Sequence, residues 1–176
     1  MEGRGSMSYQ PAQWHDYFVM VGGGSAALTG LVFVAMTLHL EEIVSDPVQR
    51  HRSRTILAGL TAVFIRCALV LMGGQNGQAV AVELIGVLVV VEVILFNSIR
   101  QAASSADPWV LRRTLGSFAC LVLEQIGAVI LFFGSAWGLY LVGLGMMSSF
   151  VFMVTGAWLL LVGVGKREAE SAGAAS

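Results

Sequence analysis

The sequence predicts an all-α integral membrane protein, a helical bundle of about five transmembrane helices with the N-terminus outside and the C-terminus cytoplasmic. Charge is scarce: of 176 residues, 56% are hydrophobic and 12% charged, where a soluble domain carries about a quarter charged. Five apolar runs are each long enough for a ~30 Å hydrocarbon core, which takes roughly 20 helical residues. The basic residues gather in alternate loops, which by the positive-inside rule fits an odd number of spans and an outside N-terminus.

Residues 1–16 read as a short N-terminal segment, of which 1–6 are a loose leader before a second candidate start at Met7. The bundle occupies 17–165, with spans at about 18–40, 56–74, 79–96, 115–133 and 138–164. The first run has neither a basic leader nor a small-residue cleavage site, so it reads as a retained helix. Gly73-Gly74-Gln75-Asn76-Gly77-Gln78 is a turn between the second and third spans, and Phe133-Gly134-Ser135-Ala136-Trp137 divides the fourth from the fifth. The tail 166–176 is small and polar and is expected to be disordered.

Eight of the ten basic residues then share one side, which the rule makes cytoplasmic: Arg50, Arg52, Arg54, Arg100, Arg112, Arg113, Lys166 and Arg167. Trp14, Tyr17, Trp137 and Tyr140 would form an aromatic belt on the other side, with Trp109 at the inner surface. His15-Asp16 reads as an interfacial helix start. The cell membrane, a bacterial inner membrane, is the expected location.

A net charge of −1 provides no basic face to release counterions, so no nucleic-acid partner is expected. Cys67 and Cys120 lie in apolar runs and read as small core residues. His39, Glu41, Glu42, Asp46 and His51 flank the first span with metal-ligand residue types but without a metal spacing, and read as a solvated loop. No metal, cofactor or enzymatic activity is expected, since no nucleophile-base pair, metal motif or phosphate loop is visible.

Lipid gives helices no hydrophobic drive to associate, so small residues that admit close backbone approach matter. In the first span Gly22 and Ala26, Gly23 and Ala27, and Ala26 and Gly30 are each four apart. Such a helix either packs centrally or lines an oligomer axis. Thr55, Gly59, Ala62, Arg66 and Gly73 share one face of the second span, and Ser117, Cys120, Glu124 and Ala128 one face of the fourth. Both faces are expected to point inward.

Arg66, Glu83, Glu92 and Glu124 fall inside spans, where a charge costs at least ~2.5–3.5 kcal/mol near the helix centre. Arg66 and Glu124 lie level near the midplane and are expected to pair, with Glu92 nearer the cytoplasm and in reach of the same arginine. Glu83 sits near the outer end of its span. Two readings stand: a structural ion pair that holds two helices in register, or a polar site in a permeation or proton path.

Trp14-His15-Asp16-Tyr17-Phe18-Val19, with the Gly-Ser-Ala-Ala-Leu-Thr-Gly-Leu-Val-Phe-Val-Ala-Met that follows, resembles a group of small uncharacterised polytopic proteins of actinobacteria and other bacteria. That resemblance covers most of the chain and carries no activity. Ser25-Ala26-Ala27-Leu28-Thr29-Gly30-Leu31-Val32-Phe33-Val34-Ala35-Met36 is similar to the pore-lining first helix of the Orai calcium channels, Ser-Ala-Leu-Leu-Ser-Gly-Phe-Ala-Met-Val-Ala-Met. It departs from that pattern at Leu38, where those channels have their selectivity glutamate, and in the number of spans. The resemblance implies first helices around an axis faced by Val34.

Together these readings point to a homo-oligomeric membrane protein that passes a small cation or protons, with Arg66, Glu92 and Glu124 controlling the path and Glu83 at its mouth. The alternative is a non-transporting membrane scaffold or regulatory subunit that binds another membrane protein through its small-residue faces.

Overall fold

The computed structural model describes residues 11–45, 47–102 and 108–174. They form α1 (Pro11–Leu38), α2 (Leu40–Ser45), α3 (Pro47–Leu71), α4 (Gly77–Ala102), α5 (Pro108–Phe132) and α6 (Trp137–Ala174). Each of the three prolines opens a helix, where the missing N–H leaves no bond unmade and the ring presets φ. Five helices are long and apolar enough to cross a membrane, over Ala12–Leu38, Arg52–Leu71, Gly77–Phe96, Leu115–Phe132 and Trp137–Leu159. Their outward faces carry large apolar side chains such as Leu31, Phe33, Val90, Ile94 and Trp158, a surface compatible with lipid.

Two details differ from expectation. The first spanning helix begins at Ala12, because Pro11 starts it earlier than the apolar run alone suggests. The last helix continues to Ala174, through the tail expected to be disordered. Lys166, Arg167, Glu168, Ala169 and Glu170 are good helix formers and prolong the span without a breaker. Met7, Asp46 and the side chains of Glu42, His51, Arg100, Trp109, Arg112, Arg113, Lys166 and Arg167 lie outside the described residues.

Both expected turns are built by their own chemistry. Asn76 caps α4, its Oδ1 accepting the Ala79 N–H at 2.8 Å. Gly134, at φ 83°, ends α5 in the left-handed conformation, and Ser135 N–H closes back onto the Ile130 carbonyl at 3.3 Å. The chain therefore alternates between two ends of the bundle. One is the aromatic end, with Trp14, Tyr17, Trp137 and Tyr140, and the other is the arginine end, with Arg50, Arg52 and Arg54.

At the aromatic end the helices close on a dry core that includes Phe18, Val63, Leu84, Leu131, Val142 and Met146. The belt residues do not spread round a girdle; they meet in one cluster, with Trp14 4.7 Å from Tyr140 and Trp137 5.3 Å from Tyr140 between ring centroids. Tyr17 donates to the Gly143 carbonyl at 2.5 Å and ties α1 to α6. Between α1 and α3, the buried Ser25 hydroxyl donates to the Leu60 carbonyl at 2.6 Å.

The tightest packing lies between α5 and α6. A Cβ added at Gly127 would stand 2.7 Å from Val142 N, and one at Gly145 would stand 2.8 Å from the Glu124 Cβ. Close backbone approach through small residues is thus the device expected of a membrane bundle, but it sits in the last hairpin and not in the first helix. In α1 only Gly22 is so used, with Cys67 Cβ 2.9 Å from the Cβ it lacks. Gly23 and Gly30 face open space, and Ala26, Ala27 and Val34 are exposed. Of this stripe Gly22 packs inward, while Gly23, Ala26, Ala27, Gly30 and Val34 point outward within one chain.

Candidate functional site

Arg66 lies on the face of α3 that also carries Thr55, Gly59 and Ala62, and all four line one cavity of about 360 Å³. A helical side chain leans toward the helix N-terminus, which for α3 is the arginine end. Arg66 does so: its Nε donates to the Ala62 carbonyl one turn back, at 3.0 Å. Its Nη1 donates to Glu124 Oε2 at 2.5 Å. Both side chains are buried, at 1% and 0% exposure, so the pair expected from their matching depths forms in the interior of the bundle.

The pair joins α3 to α5, and α6 closes over it. Gly145 is what lets α6 come so near the Glu124 backbone, as any side chain there would collide. Among the described residues Glu124 Oε1 has no hydrogen-bond partner. The carboxylate is therefore held by one oxygen and left unsatisfied at the other, which in a medium of low dielectric is costly.

Below the pair, toward the arginine end, the cavity runs between α3, α4, α5 and α6, with Ser117 and Leu121 on α5, Val91 and Leu95 on α4 and Met153 on α6. Arg54 stands at its far end, twelve residues before Arg66 and so about 18 Å along the helix. Ser149 lines the cavity, is 6% exposed and has no partner for its Oγ among the described residues. It lies one helical turn after Gly145 on α6, on the same face.

The other expected site residues part company here. Glu92 is half-buried on α4 and makes no ion pair with Arg66 among the described residues; the guanidinium is directed to Glu124 and Ala62 instead. Glu92 Oε1 is buried and without a partner. Glu83 is held at the aromatic end by Gln75, whose Nε2 reaches both carboxylate oxygens at 2.9 Å. That contact joins α4 to the preceding turn, away from the cavity. The small-residue set of α1, including Gly23, Ala26, Ala27, Gly30 and Val34, contributes nothing to the cavity.

Cys67 is buried against the Met146 sulfur at 3.8 Å, and both cysteines are free. No group of three His, Cys, Asp or Glu side chains able to hold a metal ion occurs among the described residues.

Sequence reasoning did not single out Ser149 or the glycines of α5 and α6. The signal was available: Gly138, Val142, Gly145 and Ser149 recur at three- and four-residue spacing, the period of one helix face. Compared with protein-family models, with curated proteins and with solved structures, the chain matches none, so the reading of this site stands on its geometry.

Proposed function

We propose that this chain is a multi-pass membrane protein that passes protons, with the Arg66–Glu124 pair as the site through which they move. The observation that carries the reading is the position of the pair. Arg66 lines the deep end of a cavity that reaches Arg54, and its partner Glu124, buried behind it, keeps one oxygen without a hydrogen bond among the described residues. Of the two cargoes the sequence suggests, we take protons, because a single carboxylate oxygen without a partner suffices to accept a proton, whereas a metal ion needs several ligands. Ser149 Oγ, which lines the same cavity as Arg66, offers water there a hydrogen-bond partner.

Protonation of Glu124 would release the arginine from its partner, and the charged guanidinium would then remain near Ala62 and the cavity. Such an exchange is an alternating step, not an open pore, and the dry core at the aromatic end agrees with a path shut on that side. Glu92, half-buried with an unpartnered oxygen, is positioned as a second acceptor on the arginine side. With the arginine end in the cytoplasm, as the basic loops favour, the cavity faces inward.

Proteoliposomes carrying a pH-sensitive dye test this reading. Native protein is expected to dissipate an imposed proton gradient, and Glu124→Gln to abolish that leak while leaving the fold intact by size-exclusion profile. A native rate equal to that of empty vesicles would remove the proposal.

A second reading, a scaffold or a homo-oligomer, is favoured by Gly23 and Gly30 on α1, which have nothing within 4 Å of the Cβ they lack. In that case Gly23→Leu would abolish self-association or partner capture, and the double variant Arg66→Leu with Glu124→Leu would work normally.

A further inference from the structure

Sharing Arg54, Ala58, Ala62 and Val91 with the cavity, a groove of about 750 Å³ opens outward along the seam between α3 and α4. Its walls are apolar and mostly small or β-branched: Ala58 and Ala62 on α3, and Gly86, Val87 and Val90 on α4. Thr61 lines it too, but its hydroxyl is satisfied by the Leu57 carbonyl of its own helix at 2.9 Å. At the arginine end the groove finishes at Arg54, which is exposed and has no hydrogen bond or ion pair among the described residues.

We propose that this groove binds an anionic phospholipid, with the phosphate on Arg54 and one acyl chain lying between α3 and α4. Three observations carry the assignment. From Arg54 to Ile65, the deepest α3 residue of the groove, is eleven residues, about 16 Å of helix, and one leaflet of a ~30 Å hydrocarbon core is about 15 Å. A chain whose headgroup sits at Arg54 thus ends where the groove ends. The charge is complementary: among the described lining residues Arg54 is the charged one, and a cation at the end of apolar walls fits a headgroup with net negative charge, and a zwitterionic lipid less well. The groove is also open to the bilayer, because α4 keeps Gly86 where a larger residue would fill it and nothing comes within 4 Å of the Cβ that glycine lacks. This proposal does not depend on proton movement.

The test uses the full chain reconstituted in phosphatidylcholine vesicles with a trace of spin-labelled phosphatidylglycerol or spin-labelled phosphatidylcholine. The immobilised fraction is read by electron paramagnetic resonance. Wild type is expected to hold the phosphatidylglycerol probe about fivefold more strongly than the phosphatidylcholine probe, as one arginine near the surface implies. Arg54→Gln is expected to bring the two probes level, and Arg54→Lys to retain most of the preference. Gly86→Phe, a change on the lipid face, is expected to displace the chain and lose the preference with Arg54 intact. Arg50→Gln, which removes an exposed charge outside the groove, is expected to leave it unchanged.

Equal retention of both probes by wild type would overturn the proposal. So would a preference that survives in both Arg54→Gln and Gly86→Phe, since it would then arise from the basic end as a whole. Elution of each variant at the wild-type volume separates loss of the site from loss of the fold.

Discussion

The aromatic half and the arginine half of the bundle are built from the same five long apolar helices, yet one is filled throughout and the other holds a cavity beside a smaller core of Val32, Ile56, Leu60 and Ala157. Toward the aromatic end, Phe18, Leu84, Leu131, Leu139 and Val142 are buried to within about one per cent, and Gly127 and Gly145 bring the backbones of α5 and α6 together. Toward the arginine end, α3 presents Ala58, Gly59 and Ala62 to the space between helices, and that space remains a cavity. Small residues therefore have opposite effects in the two halves. Where the opposing backbone can approach, a glycine draws helices together; where it cannot, the missing side chain is left as volume. The Arg66–Glu124 pair lies at the boundary, with Arg66 lining the cavity and Glu124 buried behind it.

The largest expected effect breaks the pair itself. Arg66→Leu alone strands the Glu124 charge in the interior and is expected to cost about 3–5 kcal/mol, whereas Arg66→Leu with Glu124→Leu recovers most of that loss. Thermal inactivation in detergent, followed by size-exclusion chromatography, reads both. A double variant no more stable than the single would mean that the charges do not compensate each other.

One glycine-to-alanine change, repeated at three positions, sharpens the contrast. At Gly145 the new Cβ meets the Glu124 Cβ at 2.8 Å and backbone atoms at 3.1 Å, so about 1–3 kcal/mol is lost through overpacking. At Gly59 it meets only the flexible end of Met153, which can swing into the cavity, and the net change is expected within about 0.5 kcal/mol of zero. At Gly23 nothing is near, and the lower backbone entropy of alanine is expected to stabilise by about 0.5–1 kcal/mol. Thermal midpoints in the order Gly23→Ala, Gly59→Ala, Gly145→Ala, highest first, would support the two-half description. A penalty at Gly23 as large as at Gly145 would place an interface on α1.

The smallest effect on stability carries the most information about water. With Cys67 and Cys120 replaced by alanine, Ser149→Cys is expected to react with a small polar thiol reagent added from the arginine side, and Leu84→Cys to stay unlabelled. Equal protection of both would mean that the cavity is dry. Mass spectrometry of the labelled protein measures this directly.

Much of the fold is legible in the residues. Apolar runs of spanning length, Asn76 and Gly134 at the turns, and a proline at the head of three helices are local signals, and the helices begin and end close to where those signals stand. Arg66 and Glu124 are legible as well, because opposite charges at matching positions along two spans can pair. The reversal lies in the first helix. Its glycines and alanines look like the packing surface, but Gly23 and Gly30 face outward while Gly127, Gly138 and Gly145 do the packing. Spacing places small residues on a face without saying which way that face turns.

What the sequence by itself determined is therefore what depends on one helix at a time: the apolar character of each span, its turns and the place of each charge along it. What only the tertiary structure decided is which faces meet. The pairing of Arg66 with Glu124 and not with Glu92, the Ser149 hydroxyl without a partner among the described residues, and the cavity that Arg66 and Ser149 both line all depend on how far apart helix backbones come to rest. That distance follows from packing between several helices at once, and no periodicity within a single helix encodes it.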